Sequence, residues 1–129
     1  MQLALADAHV PPVEVGYINA HGSSTPLNDS TETQAIKQVF GEHAYRLSIS
    51  GTKGYYGHAL GASGAIEVAI CALAMERRWL PPTINLECPD PACDLDCLRG
   101  EGRSAAPDVV LTNSFGFGGI NAAVVLRRG

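Results

Sequence analysis

Two β-type runs close the chain, DVVLTNS (108–114) and NAAVVLRR (121–128), and only FGFGGI separates them. Such a pair reads as two strands joined by a tight glycine turn, and a terminal hairpin obliges the upstream chain to supply the rest of a sheet. VEVGYINA (13–20) alternates β-branched and aromatic residues and reads as one such strand; YRLSIS (45–50) reads as a shorter one. Between them Ala35, Ile36, Val39 and Phe40 recur at helical spacing, with Asn28 or Asp29 as candidate N-cap and Gly41 closing the helix. From Gly61 to Trp79 the pattern is apolar almost all round, which predicts a helix buried on most of its surface, ended by Pro81 and Pro82. Residues 83–106 read as a loop long enough to be either functional or packed onto something else. Strands alternating with helices indicate an α/β chain, a layered sheet with helices on its faces.

Length and charge narrow the function classes. The 129 residues suit one domain, residues 1–129, better than two. A net charge of −4 argues against a nucleic-acid or anionic-membrane surface. No apolar run approaches the ~20 residues of a membrane span, and MQLALADAHVPP lacks the basic region and long apolar segment of a signal peptide. A cytoplasmic location is the expectation. Cys88, Cys93 and Cys97 have neither a CxxC pair nor an HxxxH partner, so with Cys71 they read as reduced structural thiols, and no metal is expected.

The residues with chemistry lie at strand–helix junctions, where α/β sheets place ligands. His21 follows the first strand in AHGSSTPLND; Lys53 and His58 share GTKGYYGHALGASG ahead of the apolar helix. A histidine near a helix N-terminus feels positive potential that disfavours imidazolium, leaving a neutral N–H donor suited to an oxygen gaining negative charge. Taken singly, each histidine could equally be structural. The glycine turn alone could cradle a phosphate, although it matches neither GxGxxG nor GxxxxGK[ST]. Ser23, Ser24 and Thr25 could be turn hydroxyls, and FGFGG a plain hairpin turn.

Together, AHGSSTPLND, TKGYYGHALGASGAIE, LPPTIN and NSFGFGGINA resemble, in the right order, the C-terminal part of the β-ketoacyl-acyl carrier protein synthases. The likeness is greatest to the elongating bacterial type II condensing enzymes, of thiolase-like fold; polyketide ketosynthases share the motifs less closely. The resemblance implies decarboxylative condensation of a malonyl thioester with an acyl thioester in fatty acid or polyketide biosynthesis. His21 and His58 correspond to the two histidines of a Cys-His-His site, Lys53 to the motif lysine and Glu67 to its acidic partner. Ser23 and Thr25 stand where two threonines hold the phosphopantetheine arm, Ser23 keeping the hydroxyl and losing a methyl. Phe115 and Phe117 match the gating loop, the Phe117 N–H joining an oxyanion hole. Decarboxylation develops enolate charge on the thioester oxygen, and a neutral imidazole N–H aimed there contributes roughly 3–4 kcal/mol. Lys53, paired with Glu67, would orient the loop and not act as base. No cofactor is implied beyond the phosphopantetheine of acyl carrier protein, the expected partner, and the intact family enzyme is a homodimer.

That family's nucleophilic cysteine lies in the preceding half, and none of the four cysteines here matches its motif. The chain therefore reads as a domain truncated on its N-terminal side, beginning near the end of a helix, inactive alone and dependent on the missing half. Met1 would then be an internal start or a gene-fragment boundary. One chain of a split enzyme and a non-catalytic partner resembling a chain-length factor are the alternatives. Counting strands, the thiolase-like half has five with its first in the middle. The four legible here would be the others, leaving VEVGYINA and DVVLTNS with unpaired inner edges and the sheet without its central strand.

Overall fold

The computed structural model describes all 129 residues. Helix α1 (Gln2–Asp7) leads through a 3-10 turn into strand β1 (Val15–Asn19), and α2 (Asn28–Phe40) connects β1 to β2 (Ser48–Ser50). A one-turn helix α3 (Lys53–Tyr56) and a 3-10 turn precede α4 (Ser63–Arg77). Strands β3 (Trp79–Leu80) and β4 (Arg103–Ser104) form a small ribbon, and β5 (Val109–Phe115) and β6 (Asn121–Arg127) make the terminal hairpin.

The main sheet has the order β2-β1-β5-β6, with β1 parallel to both β2 and β5 and only β6 antiparallel. The expectation of an absent central strand is overturned. β1 and β5 pair directly from Val15–Val109 to Asn19–Thr112, so β1 is itself an interior strand and no gap separates them. The residue pattern explains why: VEVGYIN carries apolar side chains for both faces, as a strand covered on both sides must. Gly16 is the extra residue of a bulge in this pairing, and a Cβ there would lie 2.8 Å from Pro107 Cβ. The bulge sends Val15 and Ile18 to one core with Ile36, Phe40 and Leu111, and Tyr17 to the other with Cys71, Met75 and Val110. Helices α1 and α2 thus cover one face and α4 the other.

Other boundaries shift for local reasons. The Asn28/Asp29 cap does not form: Leu27 is the N-cap, and the Asn28 side chain bonds Asp29 and Glu32 instead. Gly41 does end α2, with φ +54. α4 stops at Arg77 because Arg78 takes a left-handed conformation, and Trp79 already belongs to β3. The segment 83–106 packs onto the sheet edge: Asp96 bridges Ser48, Leu95 and Leu98 enter the two cores, and its end forms β4. Helix α4 buries less than its composition predicts. Cys71, Ala74 and Met75 face the sheet, but Ala65, Ala69, Ala72 and Leu73 are exposed, with Leu73 at 52%.

Candidate active site

The carboxyl ends of β1, β2 and β5 converge on the motif residues. His21 follows β1, Lys53 opens α3 just after β2, Phe115 ends β5, and His58 and Glu67 come from the turn before α4 and from α4 itself. The two imidazoles meet edge to face, with ring centroids 5.4 Å apart and planes at 78°, and Phe115 lies 5.6 Å from His21. All three line one cleft of about 580 Å³ with Gly61, Gly64 and Ser114.

His21 is buried and its backbone is clamped. Its N–H donates to Glu32 Oε1 (2.9 Å), the next N–H, of Gly22, donates to Glu32 Oε2 (3.0 Å), and its carbonyl accepts from Lys53 Nζ. Burial, reinforced by the Lys53 ammonium and by His58, pulls its imidazole down to about 4, so it is neutral near pH 7. The neutral state predicted from helix ends is therefore found at His21, with burial as its main cause. His58 is exposed, and its Nδ1 accepts from the Leu60 N–H at 3.1 Å, with the Ser63 hydroxyl 3.2 Å away. A nitrogen that accepts a backbone N–H carries a lone pair, so the His58 ring proton sits on Nε2.

Lys53 and Glu67 form a buried ion pair, with side-chain exposures of 6% and 0%. Glu67 Oε1 also accepts from Tyr56 Oη at 3.1 Å, and burial raises that phenol to about 12, which keeps it a donor. A lysine so held can fix the His21 carbonyl and contribute positive field.

Other motif residues lie apart. Phe117 sits fully exposed at the hairpin tip, outside the cleft. Ser23 is half-buried, and Thr25 is exposed with its Oγ1 accepting the Asn28 N–H. Thr25 lines a second cleft, of about 540 Å³, together with Cys88, Cys93 and Cys97. Cys71 lies on the sheet-facing side of α4, where burial pushes its thiol up to about 12, and none of the four cysteines lines the histidine cleft.

Three supporting residues escaped the sequence reading. Glu32 is 4% exposed and also accepts from Asn113 Nδ2 at 3.2 Å. Its signal was present, because it falls on the buried stripe of Ile36 and Phe40, where a carboxylate needs a specific partner. Tyr56 and Ser63 gave no such signal, since an aromatic residue ending a short helix and a hydroxyl at a helix start have ordinary structural uses.

Comparison with known proteins identifies the family and the fold. The family described as Beta-ketoacyl synthase, C-terminal domain, matches residues 1–87. A 3-oxoacyl-[acyl-carrier-protein] synthase 2 of Coxiella burnetii is 53% identical over 128 residues, covering 99% of this chain and 31% of that protein. Among solved structures, a β-ketoacyl synthase from Burkholderia phymatum superposes with TM-score 0.94 at 46% identity, covering 100% of this chain and 31% of the other. A ketosynthase bound to its type II acyl-carrier protein and a hexaketide gives TM-score 0.95 at 45% identity, with 98% and 31% covered. The chain spans about a third of the length of the curated relatives it matches. The fold is the C-terminal half of the thiolase-like ketosynthase architecture.

Proposed function

Since this chain belongs to the β-ketoacyl synthases, matching their C-terminal domain, we propose that it is the C-terminal part of an enzyme condensing a malonyl thioester with an acyl thioester. The carrier in this reading is acyl carrier protein, and the pathway is fatty acid or polyketide synthesis. One observation carries the reading: His21 and His58 meet in one cleft at the carboxyl ends of parallel strands, His21 neutral and His58 with its proton on Nε2.

The chemistry follows from where charge develops. Loss of carbon dioxide from the malonyl unit leaves an electron pair that delocalises onto the thioester oxygen. Two neutral N–H donors stabilise that enolate without having been paired to it beforehand, an effect of roughly 3–4 kcal/mol per donor. The enolate carbon then attacks the carbonyl of an acyl group held as a thioester on a cysteine, forming the carbon–carbon bond and expelling the cysteine thiolate. Lys53 acts as a positioning residue through the His21 carbonyl, held by Glu67. Ser23 and Thr25 would hold the phosphopantetheine arm, Phe115 and Phe117 would gate the cleft, and the Phe117 N–H would join the oxyanion hole.

The nucleophile comes from outside this chain in this reading, as the absence of any cysteine from the histidine cleft supports. The segment bearing it would cover the open apolar surface of α4 and of the hairpin, where Leu73, Phe117, Ile120 and Val124 are exposed. Intact-mass analysis after incubation with acyl carrier protein thioesters tests this. The chain alone should gain no acyl group, whereas the protein that includes the preceding segment should gain one. A stoichiometric acyl adduct on Cys71, Cys88, Cys93 or Cys97 would contradict it.

A further inference from the structure

We propose that Ser63 is a positioning residue for His58: its hydroxyl donates to Nδ1 and thereby holds the imidazole with Nε2–H presented to the cleft. The inference rests on the reading of His58 as an oxyanion donor.

The direction of this hydrogen bond follows from a second contact on the same nitrogen. Ser63 Oγ lies 3.2 Å from His58 Nδ1, a distance that would suit either group as donor. The Leu60 N–H, 3.1 Å from Nδ1, removes the ambiguity: a backbone amide can only donate, so Nδ1 carries no proton. Ser63 must therefore donate as well, and Nδ1 is held by two donors.

The two donors differ in rigidity. Leu60 is 78% exposed and adopts φ +49, a left-handed conformation that a non-glycine residue occupies at a cost. Its amide sits on a strained outer turn. Ser63 is 3% exposed and is the first residue of the fifteen-residue helix α4, with helical φ −55 and ψ −45. Its hydroxyl makes no capping bond to the helix, since the N-cap is Ala62 and no side chain caps this terminus. The hydroxyl is thus free for His58 and comes from an element packed on the sheet. Glu67, one turn further along α4, anchors Lys53 beneath His21, so a single helix fixes the surroundings of both imidazoles.

Ser63→Ala, in the full-length protein that carries this chain and with ¹⁵N-labelled histidine, tests the assignment. In the wild type, His58 Nδ1 should appear as an unprotonated acceptor and Nε2 as protonated. In Ser63→Ala the Nδ1 resonance should move downfield, as it does when a lone pair loses a donor. Malonyl decarboxylation should fall about 3- to 10-fold in kcat, the effect of losing one hydrogen bond, with KM and the acylation rate of the cysteine unchanged. An unmoved Nδ1 resonance in Ser63→Ala, or a protonated Nδ1 in the wild type, would overturn the proposal. A moved resonance in a protein whose wild type does not decarboxylate malonyl thioesters would support the Ser63 contact and count against the proposed function instead.

Discussion

Removing Glu67 should be among the most destabilising single changes in this domain. Its carboxylate is fully buried, and its partner Lys53 is 6% exposed. Glu67→Ala leaves the ammonium with the His21 carbonyl as its remaining partner and strips the Tyr56 hydroxyl of its acceptor. Breaking one side of a buried pair costs about 3–5 kcal/mol, because a charge stays out of water uncompensated. Against a typical urea dependence of about 2 kcal/mol per molar, that lowers the unfolding midpoint by about 2 M. Replacing both residues removes the stranded charge, so Lys53→Met/Glu67→Leu should unfold within about 1 kcal/mol of the wild type. Urea unfolding of the wild type, Glu67→Ala, the single variants Lys53→Met and Glu67→Leu and the double variant, followed by circular dichroism, closes the cycle. Strict additivity, or a Glu67→Ala cost below about 1 kcal/mol, would refute the buried pairing.

Three further outcomes follow. His21 binds its proton near pH 4 when folded and near 6.5 when unfolded, so between those values the unfolded chain holds more protons. Its contribution to stability is therefore complete above about pH 6.5 and lost as the pH falls toward 4, and Lys53→Met should raise the folded value measured by NMR titration. The isolated 129-residue chain should self-associate through the exposed α4 and hairpin surface, and Leu73→Glu with Ile120→Glu should shift its sedimentation toward monomer. Gly16→Ala drives a methyl group to 2.8 Å from Pro107 at the β1 bulge and should lower stability by about 1–3 kcal/mol, read by the same urea transition.

Much of the site was legible because its chemistry is local in sequence. Lys53, His58 and Glu67 lie within fifteen residues, and His21 sits in its own polar motif. The layered α/β class was legible too, since β-branched alternation and helical spacing mark individual elements. Strand order was not, because partner choice depends on contacts distant in sequence; β1 neighbours both β2 and β5, which enter the chain some thirty and ninety residues later. The double-faced apolar pattern of VEVGYIN held the clue that this strand is interior. The apolar circumference of α4 predicted burial on most of its surface, but apolar composition does not say whether its partner belongs to the same chain. Glu32 escaped notice for the converse reason: a glutamate in a helix is usually solvated, and although it falls on the stripe of Ile36 and Phe40, only the position of the His21 and Gly22 amides shows what it holds.

The most direct measurement compares the two half-reactions in the full-length protein with His21→Ala and with His58→Ala. If the paired imidazoles stabilise the enolate, each substitution should slow malonyl decarboxylation by about 10²–10³-fold, while acylation of the cysteine stays within a few-fold of the wild type. Equal losses in both half-reactions would contradict that role and leave the two histidines as scaffold.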